Sequence, residues 1–516
     1  MSNTNLPTNL ESNDTYAVAD LGSNSFHLVI YRVQDGEKTI LSKHREMVQL
    51  AAGVRDDQTL APDTKKLALD CLKTFARLID AIPRSQVRAV GTKTLREIRG
   101  GDFLSYAKAA LGHDIDIVSG HEEARLVYLG VRTSYALTEQ RLLTIDIGGA
   151  STEFAIGQDM LPDFSESLNI GCVTYAKRYA LDTPQQVNSR SMKAAALDVR
   201  QKVLKLSYRL NSTSWDLCYG CSGTIKAIAR LLGGGHDIAH ITRDQLSTLF
   251  AQACAGELIH EQLDTPHREN VIYSGIAILK GIFDAISLST LNVSDANLKE
   301  GLLAELTEAG VRQDVANIVV ERLARKHRVD AYQSQRVHQS TIYLWDQLRK
   351  DFWPESRWGI DIERILHWAC QLHEVGLDVA FKRFHKHSFY LVRHANLDGF
   401  NRMQRRVLSA LLLAQRKSPT QFADVLQDQD IIHALYPALL CLRLAIALHR
   451  GRSDTLGGRL RLVPMIRGSG IPDCIHITID FDDHSQLDNA QDDLIRSVVQ
   501  TETNYWSSVS NLKVVC

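Results

Sequence analysis

The chain has 516 residues, with 59 Lys and Arg against 60 Asp and Glu, a formal charge of −1. That balance excludes a uniformly basic, histone-like protein, and an apolar content of 44% over several domain lengths excludes whole-chain disorder and a small disulfide scaffold. Nine scattered cysteines, an odd number, fit reduced thiols in a cytoplasmic protein better than a disulfide framework. Residues 1–15 are polar and contain no Lys or Arg, which predicts a disordered leader rather than a signal peptide. Periodicity then predicts strands over Tyr16–Asp20, Ser25–Val33 and Thr39–Gln49 and a helix over Pro62–Ile82. Strand Gln86–Val90, helix Asp102–Leu111, strand Asp114–Val118 and a helix opening at Ser119 follow. A second α/β stretch begins at Arg141 with a hairpin over Leu142–Gly157, helices near 172–180 and 190–209, strand Trp215–Tyr219, and helices to about 309. Residues from there to about 455 read as helices, and the tail as strands Arg459–Met465 and Cys474–Phe481 with a helix near 490–499. The most apolar run, Leu435–Leu448, carries Arg443 and falls short of the roughly 18–20 residues of a membrane span, so it is read as a core helix.

An internal repeat organises the N-terminal half. Asp20-Leu-Gly22-Ser23-Asn24-Ser25-Phe-His-Leu-Val-Ile30 matches Asp146-Ile-Gly148-Gly149-Ala150-Ser151-Thr152-Glu153-Phe-Ala-Ile156 position for position, 126 residues later. Each copy is a strand ending in Asp, a tight turn of small residues, and a second strand. Glycines and small side chains let main-chain N–H groups converge on an anion, and Ser and Thr add hydroxyl donors. The Asp before each turn sets a carboxylate where Mg²⁺ would meet phosphate oxygens. One such turn also suits an ordinary hairpin; the matched pair points to two phosphate cradles.

A third loop, Gly220-Cys221-Ser222-Gly223-Thr224, joins a strand to a helix. It suits either another phosphate contact or a plain turn capped by Ser or Thr. Cys218 and Cys221 have no second Cys pair or nearby His pair and are read as buried thiols.

The two turns, with SGHEEARLVYLGV (119–131), GTKTLRE (91–97), GCVTYAKRY (171–179), CSGTIKA (221–227), SGIAILKGIFDA (274–285), LKEGLLAEL (298–306) and QLHEVGL (371–377), resemble the exopolyphosphatase/guanosine pentaphosphate phosphohydrolase family. The resemblance implies an α/β fold of duplicated actin/Hsp70/sugar-kinase-like (ribonuclease H-like) domains, followed by an all-α HD-like domain and a small α+β C-terminal domain. The expected boundaries are 16–134 and 135–309 for the actin-like domains, 310–455 for the helical domain and 456–516 for the last. It implies Mg²⁺-dependent hydrolysis of a terminal phosphoanhydride, of polyphosphate or of guanosine pentaphosphate, and a homodimer. No nucleic-acid or transmembrane partner is expected.

Ser119-Gly-His-Glu122 is a capping-box pattern, which assigns Glu122 to the helix start. Glu123, the Glu before Ala-Arg in the family pattern, is then the expected base for the attacking water. Asp20, Asp146 and Glu153 are the expected Mg²⁺ carboxylates. Gly22, Ser23, Asn24, Ser25, Gly148, Gly149, Ser151, Thr152, Ser222, Gly223 and Thr224 are the expected phosphate ligands, and Arg96, matching the family's T-L-R, a bidentate phosphate contact.

Position 150 is Ala where many members have Gly, and the HD-like block reads His373-Glu374 rather than His-Asp; His338, His387 and Asp398 are the groups available to complete such a site, and a helical domain without metal chemistry is expected. Residues 311–460 hold 23 Lys and Arg against 15 Asp and Glu, including Lys382, Arg383, Lys386, Arg393, Arg402, Arg405, Arg406, Arg416, Lys417, Arg443, Arg450 and Arg452. This is either a solvated face or a track for a linear polyanion. The reading favours exopolyphosphatase, with guanosine pentaphosphate hydrolysis or dual activity as the alternative. A kinase on the same fold is disfavoured by Glu123, and a non-hydrolytic sensor of polyphosphate or alarmone is the remaining class.

Overall fold

The structure, a computed structural model, describes residues 14–34, 37–98, 103–183, 185, 187–210, 215–258, 263, 269–307, 311–352, 361–426, 428–452, 460–465, 474–479, 489–507, 509 and 512–515. The chain forms two compact units, Met1–Arg312 and Gln313–Cys516. All but the last two residues of the expected leader, and the 480–481 end of the expected strand from Cys474, lie outside the described residues.

In the N-terminal unit, β1 (Thr15–Leu21), β2 (Phe26–Gln34) and β3 (Glu37–Glu46) form an antiparallel meander. Then come α1 (Pro62–Ile79), β4 (Val87–Gly91), α2 (Lys93–Glu97), α3 (Phe103–Leu111), β5 (Ile115–Ile117) and α4 (Gly120–Ser134). The pattern restarts with β6 (Leu142–Ile147), β7 (Thr152–Gly157), β8 (Phe164–Leu168), α5 (Cys172–Arg178), α6 (Ser189–Leu204), β9 (Leu217–Cys221) and α7 (Gly223–Leu232). β10 (His240–Thr242), α8 (Arg243–Ala255), α9 (Glu269–Ala285), β11 (Thr290–Val293) and α10 (Leu298–Thr307) complete it. The sheets are ordered β3-β2-β1-β4-β5 and β8-β7-β6-β9-β11-β10. They share one plan, a meander whose first strand pairs in parallel with the next strand of a crossover, and the second adds β10 at its edge. The sequence repeat is therefore a repeat of fold. β8, β10 and β11 were not expected: the last two fall in a stretch read as helical, being only three and four residues long, too short to show a period.

The central strands are buried on both faces, with Ala17, Val18 and Ala19 fully covered. α4 and α10 pack at backbone distance, since a side chain on Gly301 would run into the Leu126 carbonyl and one on Gly130 into the Asn297 carbonyl. Between them lies an ion cluster: Glu122 accepts from Arg125 Nε at 2.9 Å and Nη2 at 2.8 Å, and Glu305 is shared by Arg125 and Arg88. These side chains are almost wholly buried, so breaking the cluster leaves charge without water. Glu305→Ala is expected to cost about 3–5 kcal/mol, read as a lowered urea midpoint; an unchanged midpoint would remove the cluster from the account of stability.

From α11 (Val311–Lys326), whose first two residues fall in the N-terminal unit, the C-terminal unit runs through α12 (Ala331–Asp346), α13 (Arg349–Phe352), α14 (Ile362–Leu372), α15 (Phe384–His394), α16 (Arg402–Ala414) and α17 (Gln429–Leu448), then β12 (Leu460–Met465), β13 (Cys474–Ile479), α18 (Asn489–Trp506) and β14 (Lys513–Val515). Asp330, Asp361, Asn401 and Asp428 cap α12, α14, α16 and α17 through side-chain oxygens. The stretch 429–451 is long and apolar enough to cross a membrane by length and composition, but its apolar window is 94% buried within the protein. Arg443 inside it is held by Glu502 of α18 at 2.7 Å and by the Ala414 carbonyl. It is a buried structural cation, which removes it from the expected basic track. Arg452 is exposed but paired with Asp330 and Glu374, and Lys382, Arg383, Lys386, Arg393, Lys417 and Arg450 are exposed as well.

Candidate active site

The two turns are built alike. Asp20 faces His27 across the β1–β2 hairpin, and Asp146 faces Glu153 across β6–β7. Each turn closes through its glycine, Gly22 N–H donating to Ser25 O at 3.2 Å and Gly148 N–H to Ser151 O at 2.9 Å. Neither glycine has a left-handed φ; space is what favours them, since a Cβ on Gly22 would lie 3.0 Å from Ser25 O and one on Gly148 3.2 Å from Ser151 O, close enough that the carbonyl would have to shift by a few tenths of an ångström.

Both turns line one cavity of about 240 Å³, together with Ser222, Gly223 and Thr224 and the carboxylates Asp20, Glu123, Asp146 and Glu153. Ser222 caps α7 by accepting from Ile225 N–H at 3.3 Å, and does so at φ 112°, a region that residues with side chains avoid. Backbone strain of this kind typically costs about 1–3 kcal/mol and gathers at ligand clamps. Ser25 Oγ lies 2.8 Å from His27 Nε2, and Ser23 Oγ accepts from Thr94 at 2.8 Å.

Glu123 opens α4, where Ser119 caps the helix by accepting from Glu122 N–H at 3.1 Å. Glu122 is then turned inward to Arg125, leaving Glu123 to the cavity with Arg96 Nη1 at 3.2 Å. The carboxylates crowd one another out of water. Burial, then the charge of Glu153, hold the Glu123 carboxyl well above the usual range, while Arg96 pulls it back. Burial, with Glu123 and Asp20, pushes Asp146 up to about 8. Burial and Asp146 push Glu153 up to about 7, against hydrogen bonds from Ser151 and Ser167. Asp20 is raised by burial and lowered by Lys299. Asp20 Oδ1 is buried with no hydrogen-bond partner.

Such a set is short of positive charge. Among the described residues, no three of His, Cys, Asp and Glu converge closely enough to cage an ion. The arrangement fits a cation that takes one or two carboxylates and completes its shell with water and phosphate oxygens, as Mg²⁺ does.

Two expectations need correction. Thr152 is fully buried and its hydroxyl donates to the Ile170 carbonyl, so it ties the start of β7 to the segment that follows β8 rather than lining the cavity. Arg96 lies outside the lining and spends Nη1 on the Val118 carbonyl and Glu123, which makes it a partner of that carboxylate. Lys299, Asn297, Arg45, His27 and Thr92 also line the cavity and were not expected. His27 was within reach, because the repeat aligns it with Glu153. Lys299 lay in a segment noted only for its resemblance. Away from this site, the His338 ring sits against His367 at 4.6 Å, and His373 Nδ1 lies 2.7 Å from the Cys370 carbonyl. Cys218 and Cys221 are buried free thiols whose pKa burial raises.

Duplicated sheets of actin/sugar-kinase type, with paired glycine turns and carboxylates on one cavity, define a phosphate-handling protein of that fold class. A model of the Ppx/GppA phosphatase family matches residues 29–309, and one for domain III of that family matches residues 315–488. The chain belongs to the Ppx/GppA phosphatase family, and is a hydrolase of that kind. An exopolyphosphatase from Cytophaga hutchinsonii is similar in structure at 24% identity and TM-score 0.50, over 57% of this chain and 98% of that one. The Aquifex aeolicus family member is 25% identical at TM-score 0.49, over 57% and 97%.

Proposed function

We propose that the chain is an exopolyphosphatase, removing the terminal phosphate of inorganic polyphosphate by Mg²⁺-dependent hydrolysis. The observation that carries this reading is the convergence of both repeat turns and Glu123 on one cavity lined by small, hydroxyl, charged and amide groups, the set that recognises phosphate oxygens. The turn amides and the hydroxyls of Ser23, Ser25 and Ser151 hold the terminal phosphoryl group, and Lys299 and Arg45 offset its charge. Asp20 and Asp146 would hold Mg²⁺, with Glu153 beside them; Mg²⁺ supplies charge neutralisation at the phosphate oxygens. Glu123 takes the proton of the attacking water as that oxygen bonds to phosphorus and the bridging P–O bond breaks, leaving orthophosphate and a chain one phosphate shorter. Arg96 orients Glu123 and favours its ionised form. The exposed cations of the C-terminal unit support a long polyanion over a compact nucleotide.

The test is phosphate release from long-chain and short-chain polyphosphate, guanosine pentaphosphate and ATP, each with Mg²⁺, compared as kcat/KM. Long-chain polyphosphate is expected to lead, with a rate falling steeply as salt rises. Preference for guanosine pentaphosphate would replace the substrate but keep the chemistry. Binding without release of phosphate from any of them would make the protein a sensor.

A further inference from the structure

α2 is a helix of five residues, and three of them reach different parts of the site. The Thr94 hydroxyl donates to Ser23 Oγ of the first turn at 2.8 Å. The Lys93 ammonium donates to the Ala150 carbonyl of the second turn at 2.8 Å. Arg96 donates to Glu123 at 3.2 Å. α2 follows β4, which pairs with β1, so the Thr94 contact stays within the first sheet's half. The Lys93 contact is the one that crosses to the other half.

Lys93 is an uncommon choice for this place. Its residue is 9% exposed, and its Nζ donates to a neutral carbonyl, with Glu97 no nearer than 4.0 Å. Burying an ammonium costs several kcal/mol, a cost that a Met or Leu of similar size would avoid. Burial lowers its proton affinity, and Glu97, Glu153 and Glu123 hold it up. Its acceptor lies between Gly149 and Ser151, both in the cavity wall. Moving that carbonyl moves the cradle.

We propose that Lys93 is a positioning residue that fixes the second phosphate turn against the first, so that both grip one phosphoryl group in front of Glu123. The proposal rests on the hydrolytic reading of the cavity. A reacting group misplaced by about 1 Å loses on the order of 10²-fold in rate. The lysine therefore acts on turnover through the turn, with no contact to the reacting atoms.

Lys93→Met and Lys93→Arg test this by two readouts. The first is amide hydrogen exchange of residues 146–153 in the full chain without substrate or Mg²⁺. The second is kcat and KM for phosphate release from polyphosphate. Lys93→Met is expected to speed exchange in 146–153 while leaving 20–25 as in the wild type, and to lower kcat by about 10- to 100-fold with KM within about threefold. Lys93→Arg, which keeps a charged donor, is expected to restore most of the protection and much of kcat. Unchanged exchange in Lys93→Met, or a full kcat despite faster exchange, would overturn the proposal. Should Lys93→Met fail to fold, Lys93→Gln carries the test: a donor on a shorter side chain should protect 146–153 only in part, and wild-type protection and turnover would overturn the proposal. If the wild type releases phosphate from no substrate, the hydrolytic reading falls, whereas the exchange comparison still decides whether Lys93 holds the turn.

Discussion

Glu123→Gln is expected to lower kcat for phosphate release by about 10²- to 10⁴-fold, the usual contribution of a positioned general base, with KM changed little. The amide keeps the shape of the side chain and a contact for Arg96, so the loss falls on proton transfer. Burial and its neighbours raise the proton affinity of Glu123, which strengthens it as a base once ionised and makes its ionisation sensitive to nearby positive charge. The acid limb of kcat/KM for the wild type is accordingly expected to move to lower pH as Mg²⁺ is raised, and to vanish with the activity in Glu123→Gln. A variant with full turnover would remove Glu123 from the mechanism.

Asp146→Asn is expected to stabilise the metal-free protein while abolishing hydrolysis. The Asp146 carboxyl is raised to about 8 in the fold, against about 3.9 in an unfolded chain. The folded state thus keeps a proton that the unfolded state releases, and stability falls as pH rises from about 4 to about 8, at up to about 1.4 kcal/mol per pH unit. Below that window both states hold the proton and the penalty is absent. Above it the penalty is complete. Asn carries no such charge, so its melting temperature in EDTA should exceed that of the wild type at pH 8 and converge on it near pH 4. Mg²⁺ should raise the wild-type melting temperature more at pH 8 than at pH 5, and leave Asp146→Asn nearly unmoved. A pH-independent wild type in EDTA, or an Asn variant less stable at pH 8, would show that crowding of these carboxylates is not what the cation relieves.

Much of this site was legible because its signals are local. The repeat of Asp-x-Gly turns fixed both hairpins, and the aligned positions Asp20 and Asp146 occupy equivalent registers opposite His27 and Glu153. The capping logic that separated Glu122 from Glu123 held in its essential half: Ser119 caps the helix, though the Glu122 carboxylate is held by Arg125. What escaped depends on distant partners. Thr152 sits in the turn motif, but only the approach of Ile170, 18 residues on, shows where its hydroxyl is used. Arg443 looks like any helical arginine until Glu502 is folded against it. Lys299 and Lys93 reach the site from α10 and α2, elements whose sequences carry no glycine-turn signal. The strands β10 and β11 are defined by their neighbours in the sheet rather than by their own few residues.

The two hairpins differ at one informative place, since the residue opposite the aspartate is an imidazole in one and a carboxylate in the other. Two identical cradles would be interchangeable to a phosphate, and a linear chain of phosphates could thread between them in either sense. An imidazole bonded to a serine beside one cradle and a second carboxylate beside the other give the cavity a polarity. On the proposed reading, the repeat supplies the pair of grips, and the difference between His27 and Glu153 gives them a direction.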